Sequence, residues 1–338
     1  MTLTYTGDDV LTNVPLISGC ADENAAKKFT LSKRDGVNIG YQQQSDSTWA
    51  AVAATTPLTE QVTSFTEGTV YSISTKAELA RLAALVNAKK SGKGSFFALT
   101  RDIDLAGNAG DPWTAIGSED HPFAGTFDGR DHTVKGLYIN TPQGRNQGLF
   151  GGVGVDGIVR ALTVAGQVTA DLDSGGVVGE NFGLVERCVS EVTVTGRQAM
   201  GGIVGWNYEA GNVDTKGRVR ACVNKGKVSA AGNKVGGIVG ANMGEIVDCA
   251  NAGAVSGSAT STFVGGIAGD NRDGSMMCCM SLGPVTGYRD VGGIVGLSDR
   301  DSTVSACVVL GLSVRADADS GRIAGPETDG TLSGNFVR

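Results

Sequence analysis

Carboxylates recur in pairs, one residue apart, along this chain: Asp102 with Asp104, Asp171 with Asp173, Asp299 with Asp301, and Asp317 with Asp319. Two acids on one strand end could share the acid and base roles of glycoside hydrolysis, or hold calcium for polysaccharide cleavage. The same residues are also ordinary turn formers. Only two histidines are present, His121 and His132, and neither HExxH nor a Ser/His/Asp set in recognisable context accompanies them. The acid pairs therefore lack the companions of a catalytic constellation. No catalytic residue and no metal ligand is assigned, and calcium at one acidic loop is the one cofactor these pairs would suit.

The candidate recognition residues lie elsewhere. The three tryptophans, Trp49, Trp113 and Trp206, are far apart, so no glycan-stacking platform is evident. Trp206 and Tyr208 border the segment YEAGNVDTKGR, which adds about eight residues between Asn207 and Cys222 relative to its neighbours. Insertions in repeat arrays loop out on one face, often the binding face. Trp206, Tyr208, Asp214 and Lys216 are accordingly the candidate contacts for a protein or glycan surface ligand.

The remaining patterned residues read as scaffold. GGIVG and its near copies return at residues 175, 201, 236, 265 and 292, with GRIAG at 321. A unit of that length cannot bury its own apolar face and is stabilised by stacking on its neighbours, which specifies a solenoid. Aligned on this repeat, Leu137, Leu162, Cys188, Cys222, Cys249, Cys279 and Cys307 form one column. The glycine and valine that follow at fixed offsets select Cys279 rather than Cys278. Parallel strands stacked at about 4.8 Å superimpose such residues, so the column is an inward ladder. Buried free cysteine packs as a small hydrophobe. A disulfide chain or a metal site is the rival reading, since one coil spacing lies within disulfide reach. Stacked side chains point the same way rather than at each other, and no CxxC pair exists, which favours packing. A second column, Asn181, Asn207, Asn242 and Asn271, reads as an amide ladder that fixes coil register. A third, Thr169, Thr195, Ser229, Ser256 and Thr286, reads as an outward polar row whose neighbouring row is too irregular for lattice matching.

These columns need an element to start from. In TKAELARLAALVNAKKSG, Thr75 and Glu78 form a capping box, and Leu79, Leu82, Ala83 and Val86 make one apolar face. The pattern predicts a helix over 75–91, closed by Lys89, Lys90 and Gly92, that covers the N-terminal end of the coils. Coils are expected from about residue 115, about seven in number, for a rod of about 35 Å. Residues 1–66 lack the repeat; FTLS and VNIGYQQQ flank Asp35-Gly36 as a hairpin signal. The predicted fold is all-β: a parallel β-solenoid (β-helix) over 67–338 with a capping α-helix at its N-terminal end, and a small β-rich module over 1–66.

Composition narrows the function. Glycine is 52 of 338 residues with only 7 prolines and no collagen period, so the glycines read as turn residues. A net charge of -7 with no basic run argues against nucleic acid as a partner. No apolar run is long enough for a transmembrane segment. The start, MTLTYTGDD, lacks the regions of a signal peptide, so the chain reads as a mature or excised piece, or one exported by another route. Seven cysteines, an odd number, leave at least one thiol free or paired to another chain.

STKAELARLAALVN, FALTRDIDLAG, DPWTAIG, PFAGTFDG, GLFGGV, the repeated GGIVGxN and Cys-x-N-x-G-x-V, taken in that order, resemble the GLUG-repeat proteins of bacteria. The resemblance covers roughly 68–338. It implies large secreted or surface-attached proteins, adhesin-like or similar to the nonpeptidase regions of bacterial IgA-cleaving metallopeptidases. The peptidase zinc motif is missing, so proteolysis does not carry over. The expected function is a non-catalytic structural and adhesion module at an extracellular or cell-surface location. The alternatives are a subunit of an extracellular filament or virion fibre that binds copies of itself, and a polysaccharide-processing β-helix enzyme.

Overall fold

A computed structural model describes residues 2–5, 29–33, 37–41, 55–209, 216–299, 301–311 and 313–337. Thr2–Tyr5, Val37–Tyr41 and Phe29–Lys33 form a three-stranded antiparallel sheet with Val37–Tyr41 in the centre. The Asp35-Gly36 turn lies outside the described residues. From Thr55 onward the chain is a parallel β-solenoid of about nine turns with one helix. Thr55–Pro57 pairs parallel with Val70–Ile73, so the solenoid starts ahead of residue 67.

The first coils begin earlier than the repeat suggests. Val70–Ile73 and Phe96–Leu99 already belong to an eleven-stranded parallel sheet that continues through Thr126–Asp128, Ile158–Arg160, Leu184–Glu186 and onward to Thr331–Ser333. The expectation of seven coils from residue 115 is therefore too short. The missed coils lack the glycine pentapeptide because aromatic rings fill them instead. Tyr71, Phe97, Phe123, Phe127 and Phe150 pack ring against ring at centroid distances of 5.2–5.6 Å.

Helix α1 (Lys76–Asn87) interrupts the first of these coils, and its buried Leu79, Leu82, Ala83, Leu85 and Val86 join the core of Ile73, Leu99, Ile103 and Trp113. Both halves of the capping box form: the Glu78 amide donates to Thr75 Oγ1 at 3.2 Å, and the Thr75 amide donates to Glu78 Oε2 at 3.0 Å. The helix ends sooner than 91, at Asn87, with Ala88 as C-cap. Lys89, at φ 70°, is the left-handed residue directly after the C-cap, and Gly92 is left-handed as well, at φ 75°. The Asn87 amide then ties the helix to the coil beneath, donating to Ala115 O at 3.0 Å and accepting from the Gly117 amide at 2.8 Å.

Each later coil repeats one path. A strand of the eleven-stranded sheet ends on a left-handed residue (Ala161, Arg187, Ala221, Asp248, Cys278, Ala306; φ 49–57°). The next residue turns inward as Leu162, Cys188, Cys222, Cys249, Cys279 or Cys307, all at most 1% exposed. The five cysteines are free thiols. They are not bare hydrophobes: each Sγ lies 3.2–3.4 Å from a carbonyl oxygen two residues earlier. The corner after the second face carries the pentapeptide. Its glycines sit at that corner, in keeping with their reading as turn residues, but the leading ones are not left-handed. They are required because a Cβ at Gly201, Gly236 or Gly265 would lie 1.8–1.9 Å from a carbonyl oxygen three residues on.

The third face is a six-stranded parallel sheet, Phe150–Val153, Val178–Asn181, Val204–Asn207, Val239–Asn242, Ala268–Asn271 and Val295–Ser298. Its last column is the asparagine ladder. Nδ2 of Asn181, Asn207 and Asn242 donates to Oδ1 of the next asparagine at 2.7–2.8 Å. Asn271 ends the run on Ser298 Oγ at 3.2 Å. Each amide also closes its own turn, as Asn242 does with the Gly244 amide and carbonyl at 3.2 and 3.1 Å. A second ladder, not identified as one from sequence, joins Asn224 Nδ2 to Asn251 Oδ1 at 2.9 Å on another face.

Asn242→Ala removes four hydrogen bonds and orphans their buried partners, so it is expected to cost roughly 3–5 kcal/mol in urea unfolding. Cys249→Ser places a hydroxyl beside the same carbonyls the thiol meets, Val247 O and Val219 O, and is expected to cost only about 1 kcal/mol. Alkylation followed by mass spectrometry should label all five ladder thiols after denaturation and none before, because all are buried.

Candidate ligand-binding surface

Parallel register builds the surface around the sequence-predicted residues. Glu180, Trp206, Ala241 and Asp270 are consecutive partners on the outer face of the six-stranded sheet. The Tyr208 amide donates to Asn181 O at 2.9 Å, which sets Tyr208 beside Phe182 of the preceding coil. Their rings stack at 4.7 Å and 9°, and Trp206 stacks on Tyr208 at 4.9 Å and 8°. Small Ala241 above Trp206 leaves room for the indole to lean over. Lys234 Nζ lies 4.8 Å from the indole centroid.

Both faces of Tyr208 and both faces of Trp206 are thereby occupied, so the column offers ring edges rather than a stacking platform. Trp206 Nε1 is buried with no hydrogen-bond partner. Lys216 is held by its surroundings, 3.2 Å from Glu209 and donating to Asp273 O at 2.8 Å. Asp214 lies outside the described residues. Trp206 and Tyr208 are thus brought together, while Lys216 reaches along the solenoid toward a later coil.

Behind the aromatic column sits a group of buried acids. Glu180, 5% exposed, accepts from Asn146 Nδ2 at 3.2 Å. Burial, followed by the charges of Glu119 and Asp173, pushes its pKa up to about 7. Burial likewise raises Asp173, against the pull of Arg145 at 3.4 Å. Tyr208 is driven up by burial and by the Glu180 charge. Arg145 also lies 3.9 Å from Glu119.

Of the other paired acids, Asp102, Asp104, Asp171, Asp299 and Asp319 are engaged in scaffold contacts. Asp171 makes a two-pronged pair with Arg197 at 2.7 and 2.9 Å. Asp102 accepts from the Thr133 amide at 2.9 Å and meets His132 Nδ1 at 3.2 Å; Asp104 accepts from the Ala106 amide at 2.8 Å. Asp299 and Asp319 accept backbone amides of Asp273 and Asp290. Among the described residues no group of three His, Cys, Asp or Glu side chains could hold a metal ion.

Two cavities lie near the N-terminal coils. One, of 310 Å³, separates α1 from Trp113 and is lined by Lys76, Ala80, Leu105 and Asp111 among others. The other is an open cleft of 520 Å³ between the loop at Ser118, Glu119 and Asp120 and the segment of Asn140, Thr141, Arg145 and Gln147. Arg145 joins this cleft to the Asp173 and Glu180 group. Sequence reading missed it, because the segment TPQGRNQ ahead of GLFGGV adds only two residues between Thr141 and Arg145 relative to the next coil.

No family model matches the chain. Over 210 residues, 59% of its length, it is 27% identical to halomucin of Haloquadratum walsbyi. Over 108 residues it is 33% identical to a candidate Gly-rich membrane protein of Evansella cellulosilytica. The chain spans only 2% and 12% of the length of these two relatives. A crystal structure of a candidate immunoglobulin A1 protease from Bacteroides ovatus superimposes with a TM-score of 0.59 at 25% identity, over 80% of this chain and 85% of that one.

The raised pKa of Glu180 means that the folded protein holds a proton the unfolded chain has released. Its stabilising effect is complete below the ordinary value of 4.5 and is lost as pH rises through about 7. The thermal midpoint is expected to fall between pH 5 and pH 8, by the equivalent of roughly 2–3 kcal/mol. Glu180→Gln should remove most of that slope in thermal melts.

Proposed function

We propose that this chain is a non-catalytic structural and adhesion module of an extracellular or cell-surface protein. The observation that carries this reading is the fate of the chemistry-bearing residues. Six of the eight acids that sequence spacing brought forward, Asp102, Asp104, Asp171, Asp173, Asp299 and Asp319, are bound to arginines, a lysine, a histidine and backbone amides as scaffold contacts. What the solenoid offers to solvent is a long, rigid, patterned surface with an aromatic column and a polar cleft. A mucin-named relative and a membrane-protein relative support a surface setting, and the protease-named neighbour supports the same solenoid architecture. No helix among the described residues is long and apolar enough to cross a membrane.

A second reading, end-to-end assembly into a filament, is favoured by one feature. Leu332, Phe336 and Val337 of the final coil are 41–44% exposed, although their ladder partners Val304, Val308 and Val309 are buried. Another chain, or a further coil of a longer protein, would cover an apolar strand edge of this kind.

Immobilised protein is expected to retain mucin-coated or epithelial surfaces, and the loss of that retention on competition with free protein measures its specificity. A panel of polysaccharides, with and without calcium, should show no turnover. Robust turnover abolished by replacing one acid pair would overturn the proposal. Long regular filaments in electron micrographs of concentrated protein, absent in Phe336→Ser, would establish the second reading instead.

A further inference from the structure

We infer that the 520 Å³ cleft between the 118–120 loop and the 140–147 segment is a binding site for a neutral saccharide of one or two units. This deepens the adhesion reading and rests on it. The cleft volume falls within the ~300–1,000 Å³ of small-ligand sites. Its walls carry exposed polar groups on opposite sides. Glu119 and Asp120 stand on one; Asn140 and Thr141 stand on the other.

Several of these groups are already held in place. The Gln147 side chain donates to Arg145 O at 2.6 Å, and its amide donates to Ser174 Oγ at 3.0 Å. Arg145 is spread between Glu119 and Asp173 at 3.9 and 3.4 Å, yet its side chain remains 59% exposed. The indole of Trp113, fixed by its bond to Leu149 O at 3.1 Å, supplies an apolar lining. A site of this composition rims an apolar lining of Pro112, Trp113 and Ile139 with many hydrogen-bonding groups. That suits a polyhydroxylated ligand better than a lipid or an aromatic molecule.

Charge selects within the class. Glu119 and Asp120 line the cleft, with Asp173 behind Arg145, whose single positive charge is already shared between two acids. A phosphate, sulfate or sialic acid carboxylate would meet net repulsion. Carboxylates instead accept from the adjacent hydroxyls of a neutral sugar through charge-assisted hydrogen bonds.

Lactose and chitobiose are the probes, with 3′-sialyllactose and a sulfated disaccharide as anionic controls. Titration by calorimetry and by backbone amide NMR is expected to give saturable binding of at least one neutral probe, with shifts confined to residues 113–120 and 139–147. The anionic controls should bind about tenfold more weakly or not at all. Glu119→Gln with Asp120→Asn, both exposed and outside the core, should weaken the neutral probe about tenfold and narrow the gap to the anionic ones. Asn140→Trp should block the cleft by bulk, with an unchanged thermal midpoint as the folding check. No saturable binding of either neutral probe, shifts elsewhere, or preference for the anionic probes would overturn the inference. If the wild-type protein adheres to surfaces and the blocked variant adheres equally, the cleft assignment fails while the adhesion reading stands. If the sugars bind but the protein adheres to nothing, the adhesion reading fails and the cleft stands.

Discussion

Every buried or outward position of a parallel solenoid meets its own equivalent in the coils above and below, about 4.8 Å away. That single constraint selects which side chains the interior can hold. Asparagine satisfies it because its amide carries donor and acceptor together, so a stack of identical amides bonds to itself. Asn181, Asn207, Asn242 and Asn271 do this without any buried amide left over. The thiols satisfy it differently, by filling volume and pointing at strand carbonyls.

The same rule disfavours like charges in consecutive rungs, since stacking them costs both desolvation and repulsion. The outward column of the six-stranded sheet runs Glu180, Trp206, Ala241, Asp270 and Leu297, with its two acids separated by uncharged residues. Each acid is then served from the neighbouring corner. Lys234 reaches Asp270 at 3.1 Å, whereas Asn146 reaches Glu180. Burial and the nearby charges of Glu119 and Asp173, with a neutral amide rather than a cation as its hydrogen-bond donor, keep the Glu180 pKa raised.

Regularity also sets where recognition can occur. A perfect repeat exposes the same few side chains at every rung and has no concavity. The departures are at the N-terminal coils, where α1 and two loops replace strands, and at the excursion after Tyr208. The cleft and the aromatic column lie at these irregularities, and Arg145 with Asp173 and Glu180 connects them into one polar region.

The repeat, the inward column from Leu162 to Cys307, the first amide ladder, the helix and its capping box were legible from residue spacing alone, because periodic contacts and local caps are written in the sequence at fixed offsets; Leu137, read into the same column, lies instead beside Gly166, two residues past Val164. The early coils were not, since Phe97, Phe123 and Phe127 fill the same space as the repeat without copying its residues. Nor was the role of the glycines: only the folded backbone shows that Gly201 and Gly236 are needed for want of a Cβ, while alanine, arginine and aspartate take the left-handed corners. Trp206 and Tyr208 could be singled out as neighbours of an insertion, but whether their ring faces are open depended on Phe182 and Lys234, from other coils. The cleft combines residues 87, 113–120 and 139–147, and no local pattern joins segments that meet only when the helix docks on the coils. Sequence thus determined what repeats; the tertiary structure decided what the breaks in the repeat bring together.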